Sequence, residues 1–302
     1  MRHLFDFTIL LLLNVSMILS SYPHGPQGPD FAKKPGAMKV DLLEGGIEKH
    51  WNIEVRRSRH VNNEVQRYSR SAVSQDRSTK AITIRASKRG HDVKSGRINS
   101  NHKWNSADSR STKRRGYLEV RAKFPAKPNG GHQFKGAWPA VWMLGTGNRG
   151  KWPGEGEIDI MESVNGDPTI HMSLHSTHHH GGNPQHPSGE PLRANADFSR
   201  DGAILGLEWN VQYWGQIDIT WWISYYDRGR HSWRTKHYTK SLRKGRGQDY
   251  YDFYNTFMHA NGVYAIINLA EGGVWPKCYH SYCVLTRGDQ YLVVDSAKVY
   301  GV

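Results

Sequence analysis

The sequence predicts an all-β protein, built as an antiparallel β-sandwich or jelly roll. Many short segments alternate apolar and polar residues, and loops rich in Gly, Asn, Ser and His separate them, while long helical periodicity is hard to find. Beyond residue 21, about 280 of the 302 residues remain, which is enough for one large sandwich domain. No internal repeat divides that length.

Six segments show the period-two alternation of half-buried strands. They are residues 63–68, 81–86, 116–124, 217–225, 264–270 and 291–300. In residues 217–225 the alternation places Trp221 with the isoleucines, and therefore in the core. It places Trp222 on the other side of the strand, where it is either exposed or faces a cleft.

Residues 1–21 have the features of a cleaved secretory signal peptide. Arg2 precedes an apolar run at residues 9–13, and the small residues Ser20 and Ser21 follow it. The alternative is a membrane anchor, but the run is short for a membrane span. We therefore expect a secreted, extracellular protein that makes no membrane contact once the signal is removed.

The remaining chain is predicted to contain an irregular leader and one domain. Residues 22–38 are rich in Pro and Gly, and residues 39–302 carry all the strand-like segments. The two cysteines, Cys278 and Cys283, lie five positions apart. In an oxidising compartment they favour a disulfide over a metal site, because the chain has no second thiol pair.

The chain is strongly basic, with a formal net charge of +14 and basic clusters at residues 113–115 and 240–246. Such clusters attract an acidic partner, a sulfated glycan or nucleic acid, but they more often form a solvated face. No nucleic-acid-binding motif accompanies them, so no nucleic-acid partner is predicted.

Residues 154–166 place three carboxylates, Glu157, Asp159 and Glu162, in a segment that otherwise resembles a strand. Alternation puts the first two on one face and Glu162 on the other. A bulge at residues 160–161 would return Glu162 to the first face, and bulges are frequent beside active sites. Crowded carboxylates raise the pKa of one another. Glycoside hydrolysis uses such a pair, one as nucleophile or base and one as acid.

Two tryptophans lie immediately upstream of the three acids. Trp138 and Trp142 share one face of the strand-like residues 136–144. Aromatic planes in a cleft bind the C–H faces of sugar rings, and the alternative is that both residues belong to the core. Their closeness to the acids, together with Pro139 interrupting the hydrogen-bond ladder, favours the cleft.

Histidines follow the acids. His171 and His175 share the polar face of a strand-like segment, where a neutral imidazole can hydrogen-bond substrate or a catalytic carboxylate. His178, His179 and His180 are adjacent, and a metal cluster is one interpretation of them. We favour an exposed polar loop, because the tract lacks a recognisable ligand spacing.

The hexapeptide at residues 157–162, Glu-Ile-Asp-Ile-Met-Glu, resembles the catalytic signature of glycoside hydrolase family 16, in the bulged form of laminarinase-like endo-β-1,3-glucanases. Matching segments run in order along most of the mature chain. They are residues 63–68, 95–98, 116–124, 138–142, 206–209, 268–270, 272–276 and the terminal strand. Each is weak alone, but their ordered agreement is a specific signal.

The resemblance implies a jelly roll of two curved sheets, the concave one forming an open substrate cleft. It implies that Glu157 is the nucleophile, Glu162 the general acid/base, and Asp159 the residue that orients and electrostatically tunes the nucleophile. The positions that match cleft-lining residues of the family are Trp138, Trp142, Arg97, Asn63, His175 and Trp275.

The resemblance implies no cofactor for catalysis. The family often holds a structural calcium on its convex face, and the matching ligand in this chain is Asp295 on the terminal strand. An oxygen-only site assembled from distant loops leaves no local motif in a sequence.

The predicted function is secreted, endo-acting hydrolysis of β-1,3 or mixed β-1,3/1,4 glucan, with retention by double displacement. One alternative is a non-hydrolytic glucan-recognition protein; such proteins lack one or more catalytic acids, whereas all three are present here. Others are a family member that acts on an anionic galactan, and a transglycosylase. The expected partner is a β-glucan polysaccharide, and the expected state is a monomer, because an open cleft needs no second subunit.

Overall fold

The computed structural model describes residues 22–56, 62–104, 115–146, 152–177, 192–212, 214–258 and 262–301. These residues form two β-sheets packed face to face, which confirms the predicted all-β sandwich. The described strand pairs are antiparallel except for one short parallel pair at Arg67–Tyr68. The predicted signal peptide and the tract His178–His180 lie outside the described residues.

The larger sheet, called the back sheet here, has ten strands. Eight of them lie side by side in the order β15 (Ser232–Arg243), β14 (Gln216–Asp227), β13 (Ala203–Gln212), β8 (Arg115–Lys123), β17 (Gln290–Gly301), β5 (Ile82–Arg89), β6 (Asp92–Ser95) and β3 (Arg67–Tyr68). The other two are β1 (Met38–Asp41), paired with β17, and β4 (Val73–Gln75), paired with β5.

The smaller sheet, called the front sheet, has seven strands. Their order is β12 (Leu192–Arg193), β11 (Thr169–His175), β10 (Glu157–Glu162), β9 (Ala137–Gly145), β16 (Val263–Glu271), β7 (Arg97–Ser100) and β2 (Trp51–Ile53). The strand that carries the three acids, β10, is therefore close to the middle of the sheet, with a hydrogen-bonded neighbour on each side.

The described helices are short. They are α1 (Ile47–His50), α2 (Gln248–Met258) and 3₁₀ turns at Asp30–Lys33, Arg70–Ala72, Gly130–His132 and Ser281–Cys283. The sequence patterns did not predict α2, whose Phe253 and Phe257 are buried. Thr256 in α2 donates a hydrogen bond to the carbonyl of Glu155, which fixes the segment that enters β10. Among the described residues, no helix has the length and apolar character needed to cross a membrane.

Most of the predicted strands are confirmed. The segments predicted at 81–86, 116–124, 217–225, 264–270 and 291–300 are β5, β8, β14, β16 and β17, with ends shifted by one to three residues. The prediction for residues 63–68 is wrong over most of its length. Only Arg67–Tyr68 is a strand, and Glu64 makes an isolated bridge to Gly272.

The core fills the space between the two sheets. Its largest fully buried side chains are Trp51, Phe124, Phe198, Trp221, Phe253 and Phe257. Trp221 is fully buried, as its place in the alternation predicted. Each such aromatic side chain removes on the order of 150 to 250 Å² from water, so these few residues account for much of the burial.

Trp222 lies in neither of the predicted environments, cleft or open solvent. It is half-buried on the outer face of the back sheet, where it packs beside the small cluster that contains Phe31 and Tyr117. Its indole N–H donates to Glu208 and its ring stacks on His237 at 4.9 Å. The alternation placed it on the correct side of β14, but it could not reveal that the chain before β1 covers that side.

Residues 22–37 pack against the outer face of the back sheet. Phe31 is buried there, and the guanidinium of Arg115 lies 4.4 Å from its ring centroid. The side chain of Arg121 donates to the carbonyl of Pro23, and Gln27 N–H donates to the carboxylate of Glu119. The segment has little regular structure, but side chains from the sheet hold it along its length.

The three acids share one face because β10 contains a bulge. Asp159 pairs with Trp142 of β9, and Glu162 pairs with Ala140. Three residue steps on β10 therefore oppose two on β9, with the register shift between Asp159 and Met161. Since residues directly opposite each other share a face, Glu162 lies on the same side as Asp159. The predicted bulge at residues 160–161 is confirmed.

Trp221 of the back sheet supports the bulge from behind. Its indole N–H donates to the backbone carbonyl of Asp159 at 2.7 Å, across the core. The bulge interrupts the strand ladder at this point, and a buried carbonyl there needs another donor. A residue of one sheet thus stabilises the irregular backbone of the other.

Trp221→Phe removes that donor and leaves both a buried carbonyl and a small cavity. We expect the free energy of unfolding to fall by about 2 to 4 kcal/mol. Urea denaturation followed by fluorescence measures this change. Trp214→Phe is the control, because Trp214 is 76% exposed and its replacement should change stability by less than about 0.5 kcal/mol. Equal effects of the two substitutions would contradict the supporting role of Trp221.

Candidate active site

The carboxyl groups of Glu157, Asp159 and Glu162 line one face of the front sheet, called the site face here. Register with β9 and β11 places all three on this face. The side chain of Glu157 is 16% exposed and that of Asp159 only 5%. The outer two acids can therefore contact a ligand on the site face, while Asp159 lies deeper between them.

Indole groups donate hydrogen bonds to both outer acids. Trp138 Nε1 lies 2.9 Å from Glu162 Oε1, and Trp152 Nε1 lies 3.1 Å from Glu157 Oε2. Trp138 belongs to β9, whereas Trp152 lies in the segment that leads into β10 and is 49% exposed. Each of the two acids is thus oriented by its own tryptophan.

His175 of β11 lies beside the other end of the acid row. Its Nε2 is 3.0 Å from Asp159 Oδ2 and 3.6 Å from Glu157 Oε1. His175 pairs directly with Glu157 in the strand register, which explains the approach. The centroid of the Trp152 ring lies 5.7 Å from that of the imidazole, and the two rings are tilted by 44°.

Burial raises the pKa of all three acids, because the charged carboxylate loses its hydration. The pKa of Glu162 rises to about 8, mainly through burial and then through the charge of Asp159, while the Trp138 hydrogen bond opposes the rise. Burial followed by the charge of Asp159 likewise raises the pKa of Glu157, and His175 opposes this. Burial raises the pKa of Asp159 to about 7, against a hydrogen bond from Ser173. The cluster therefore holds at least one proton at neutral pH.

Trp142 and Arg97 lie together next to the acid row. The indole N–H of Trp142 donates to Asn268 Oδ1 at 2.7 Å, and the guanidinium of Arg97 lies 4.9 Å from the Trp142 ring centroid. Arg97 also pairs with Glu54 at 2.9 Å. This arrangement fixes the Trp142 ring, and the half-buried indole of Trp142 remains available to a ligand.

Trp275 lies at the Glu162 end of the row. Its ring meets Trp138 edge-on at 5.5 Å and His171 edge-on at 4.8 Å. Trp275 lies in a loop closed by backbone hydrogen bonds between Gly273 and Cys278, and Cys278 in turn forms the predicted disulfide with Cys283. The loop thereby positions an aromatic side chain beside Glu162.

Asn63 lies near the same loop, but the hydrogen bond to that loop is made by the preceding residue, Asn62. Val274 N–H donates to the carbonyl of Asn62, which joins the two loops. Asn63 itself is exposed and has a positive φ of 56°, a conformation that Asn tolerates well. The structure brings the other predicted site-face residues into contact with one another or with the acids, and it leaves Asn63 at the border.

Asp295 lies on β17 of the back sheet, away from the acid row. Its Oδ2 accepts a hydrogen bond from the hydroxyl of Tyr22 at 3.0 Å. Burial raises its pKa, and the charge of Lys123 opposes this rise. Among the described side chains, no other acid or histidine joins it in a close group of three, so the six to eight oxygens that calcium takes would have to come mainly from backbone and water. Calcium at Asp295 stays a prediction.

Several residues that complete the site have no signal, or only a weak one, in the sequence pattern. Trp152 donates a hydrogen bond to Glu157, and Asn268 accepts one from Trp142. Ser173 lies directly opposite Asp159 in the strand register. Ser173 was detectable, because it alternates between His171 and His175. Trp152 lies outside any periodic segment, so only the fold reveals that it returns to Glu157.

Comparisons with known proteins agree with this geometry. The model of the XgeA-like catalytic domain of glycoside hydrolase family 16 matches residues 126–198, which include all three acids. A laminarinase structure from Flavobacterium sp. UMI-01 superimposes with a TM-score of 0.60 and 24% identity, covering 87% of this chain and 99% of its own. That likeness shows a common fold.

Two curated relatives are similar in sequence. A keratan-sulfate endo-1,4-β-galactosidase of Sphingobacterium multivorum is 28% identical over 193 residues, which are 61% of this chain and 36% of that protein. A β-glucanase of Rhodothermus marinus is 27% identical over 198 residues, which are 61% of this chain and 57% of that protein. The chain thus spans about a third of one relative and somewhat over half of the other.

The sandwich fold and the partial family match together make this chain similar to the glycoside hydrolases of family 16. More particularly, the segment that carries the acids is similar to the XgeA-like catalytic domain of that family, in agreement with the resemblance seen in the sequence.

The effect of Glu162→Gln on the free energy of unfolding at different pH values tests whether burial raises the pKa of Glu162. The pKa of Glu162 is about 8 in the folded protein against an ordinary value of 4.5. Folding stability from the bound proton is therefore fully present below pH 4.5 and is lost as the pH rises to about 8. Because Gln stays neutral, we expect the variant to gain stability relative to the wild type as the pH rises through this window.

Urea denaturation of both proteins at about pH 5, 7 and 9 gives the comparison. The difference in free energy of unfolding should grow at each step, and by less between pH 7 and 9 than between pH 5 and 7, because it stops growing above the folded-state pKa of about 8. A difference that is the same at each pH would contradict the raised pKa.

Proposed function

We propose that this protein hydrolyses internal β-1,3 or mixed β-1,3/1,4 linkages of β-glucan, with retention of configuration. The observation that carries the proposal is the row of three acids on one face of β10, which the bulge brings into line. The family match and the similarity to a β-glucanase support the substrate class.

In the proposed mechanism, a carboxylate of Glu157 attacks the anomeric carbon while the carboxylic acid of Glu162 protonates the glycosidic oxygen. The bond to the leaving sugar breaks and a covalent glycosyl ester forms on Glu157. Glu162, now ionised, takes a proton from a water molecule, whose oxygen attacks the same carbon and releases Glu157. Burial keeps a proton in the acid row at neutral pH, and in this proposal Glu162 holds that proton before the first step.

Asp159 and the aromatic residues have supporting roles in this proposal. Asp159 lies between the two outer acids, and its charge adds to the raised pKa of both. It therefore couples their protonation states. Trp142 pairs with Asp159 in the strand register, and Trp275 contacts Trp138, the donor to Glu162. We assign both to sugar binding, because the C–H faces of a sugar pack well on aromatic planes.

A second candidate substrate is an anionic galactan. The relative that cleaves keratan sulfate motivates it, together with the net charge of +14. Salt screens exposed charges beyond about 8 to 10 Å, so a basic surface by itself favours this substrate only weakly. A transglycosylase would use the same acids, with a sugar hydroxyl in place of water.

We also propose that the protein is secreted and acts as a monomer. The disulfide Cys278–Cys283 fits an oxidising compartment. Residues 1–21 have the composition of a signal peptide.

A panel of polysaccharides tests the proposed function directly. Laminarin, lichenan and barley glucan should release oligosaccharides, whose first anomer, followed by NMR, should keep the β configuration. Glu157→Gln should lower kcat by at least about 1,000-fold, because the covalent step is lost. The panel should also contain carrageenan, agarose and keratan sulfate, and turnover of these alone would move the assignment to the galactan.

Binding to laminarin without any turnover would instead indicate a recognition protein. Circular dichroism of Glu157→Gln shows whether the variant folds. Transfer products at high substrate concentration would identify a transglycosylase.

Trp152→Phe tests the indole that orients the proposed nucleophile. The hydrogen bond from Trp152 lowers the pKa of Glu157, so its loss should raise that pKa further. Since Glu157 must be ionised to attack, the acidic limb of the kcat/KM profile should move to higher pH. On that limb kcat/KM should fall by about 3- to 10-fold, which corresponds to about 0.7 to 1.4 kcal/mol.

Trp214→Phe is the matched control, because it removes an exposed indole with no part in the site. An unchanged pH profile in Trp152→Phe, with only KM increased, would show that Trp152 contacts the sugar and does not tune Glu157.

A further inference from the structure

We propose that Glu157, Asp159 and His175 also bind one divalent transition-metal ion of the zinc type, and that the protein with this ion bound is inactive. The three side chains offer one ligand atom each, and these atoms lie within 4.8 Å of one another. Among the described residues, no other acid, histidine or cysteine group comes together in this way.

Two of the three separations between ligand atoms are close to those around a tetrahedral ion, and the third is at most 4.8 Å. Zinc bonds to histidine nitrogen and carboxylate oxygen are about 2.0 to 2.2 Å long, which separates two tetrahedral ligands by roughly 3.4 Å. His175 Nε2 lies 3.0 Å from Asp159 Oδ2 and 3.6 Å from Glu157 Oε1. Small side-chain rotations would therefore place all three atoms around one ion.

Asp159 Oδ2 gives a second, independent indication. Asp159 is only 3% exposed, and its Oδ2 has no hydrogen-bond partner among the described groups. It approaches His175 Nε2 at 3.0 Å without the alignment of a hydrogen bond. A buried carboxylate oxygen without a donor costs free energy, and a bound cation removes that cost.

The site is also open enough to admit an ion. The side chains of Glu157 and His175 are 16% and 17% exposed, so one side of the group faces the site face. Three protein ligands and one open position are typical of zinc sites that exchange their fourth ligand with water. A mixed nitrogen and oxygen set suits zinc, copper or nickel, whereas calcium and magnesium prefer oxygen alone.

The inactive state follows from the chemistry of the ligands. An ion held by Glu157 occupies the carboxylate that would attack the sugar, so metal and substrate exclude each other. This part of the inference rests on the proposed function. Metal binding itself does not, since it can be measured without substrate.

The experiment uses the mature chain with His178→Ser, His179→Ser and His180→Ser, because that histidine tract offers a competing metal site. After chelator treatment, Zn²⁺ is titrated by calorimetry, and Co²⁺ is added as a visible-absorption probe of a tetrahedral site. We expect one ion per chain. Ca²⁺ added at the same concentrations should not displace Co²⁺ from this site.

Two ligand variants and one control decide the assignment. His175→Gln and Asp159→Asn should each weaken Zn²⁺ binding by at least about 100-fold, since even outer-shell substitutions cost 10- to 100-fold. His171→Gln is the control, because His171 lies on the same strand and pairs with Glu162, outside the group of three. Its Zn²⁺ affinity should stay within about 3-fold of the parent.

Absence of stoichiometric binding, or binding that His175→Gln leaves unchanged, would overturn the proposal. Where the protein turns over laminarin, Zn²⁺ should inhibit competitively and chelator should restore the rate. If no polysaccharide is cleaved, the proposed function fails, while the calorimetric result still decides the metal site.

Discussion

The burial of three acidic side chains on one face of β10 is the constraint on which the rest of the site depends. Carboxylates removed from water and placed side by side resist ionisation, so the site retains a proton at neutral pH. Two indole donors, Trp138 and Trp152, offset part of this cost, and the charge of His175 opposes the rise in the pKa of Glu157. The aromatic residues around the acids therefore have an electrostatic role as well as a packing role.

Both sheets contribute to holding the row of acids in place. The front sheet supplies the reacting groups and their donors, while the back sheet supplies Trp221, which satisfies the carbonyl at the bulge. Helix α2 ties down the segment before β10 through Thr256. Because the bulge is held from the core and the acids project from the other side, its backbone is fixed independently of what binds on the site face.

Sequence reasoning located the acids, the bulge and the flanking strands, because all of these depend on local alternation. The odd offset between Asp159 and Glu162 has few structural solutions, and a bulge is the simplest that brings three acids together. Contacts that join distant segments leave no such local pattern. Trp152 reaches Glu157 from a nonperiodic segment, and Trp222 is covered by residues 22–37, whose packing leaves no periodic signal. Alternation also gave no sign that α2 packs at one end of the sandwich.

The bulge also has a consequence for the evolution of strand length. In a regular strand, gaining or losing one residue turns every later side chain to the opposite face. At Ile160 this rule is relaxed: a strand without that residue would place its three acids at positions i, i+2 and i+4, which again share one face. The chain can therefore change length by one residue at this point and keep its acids together. Related chains with either spacing are best aligned by the face on which their acids lie, and not by residue number.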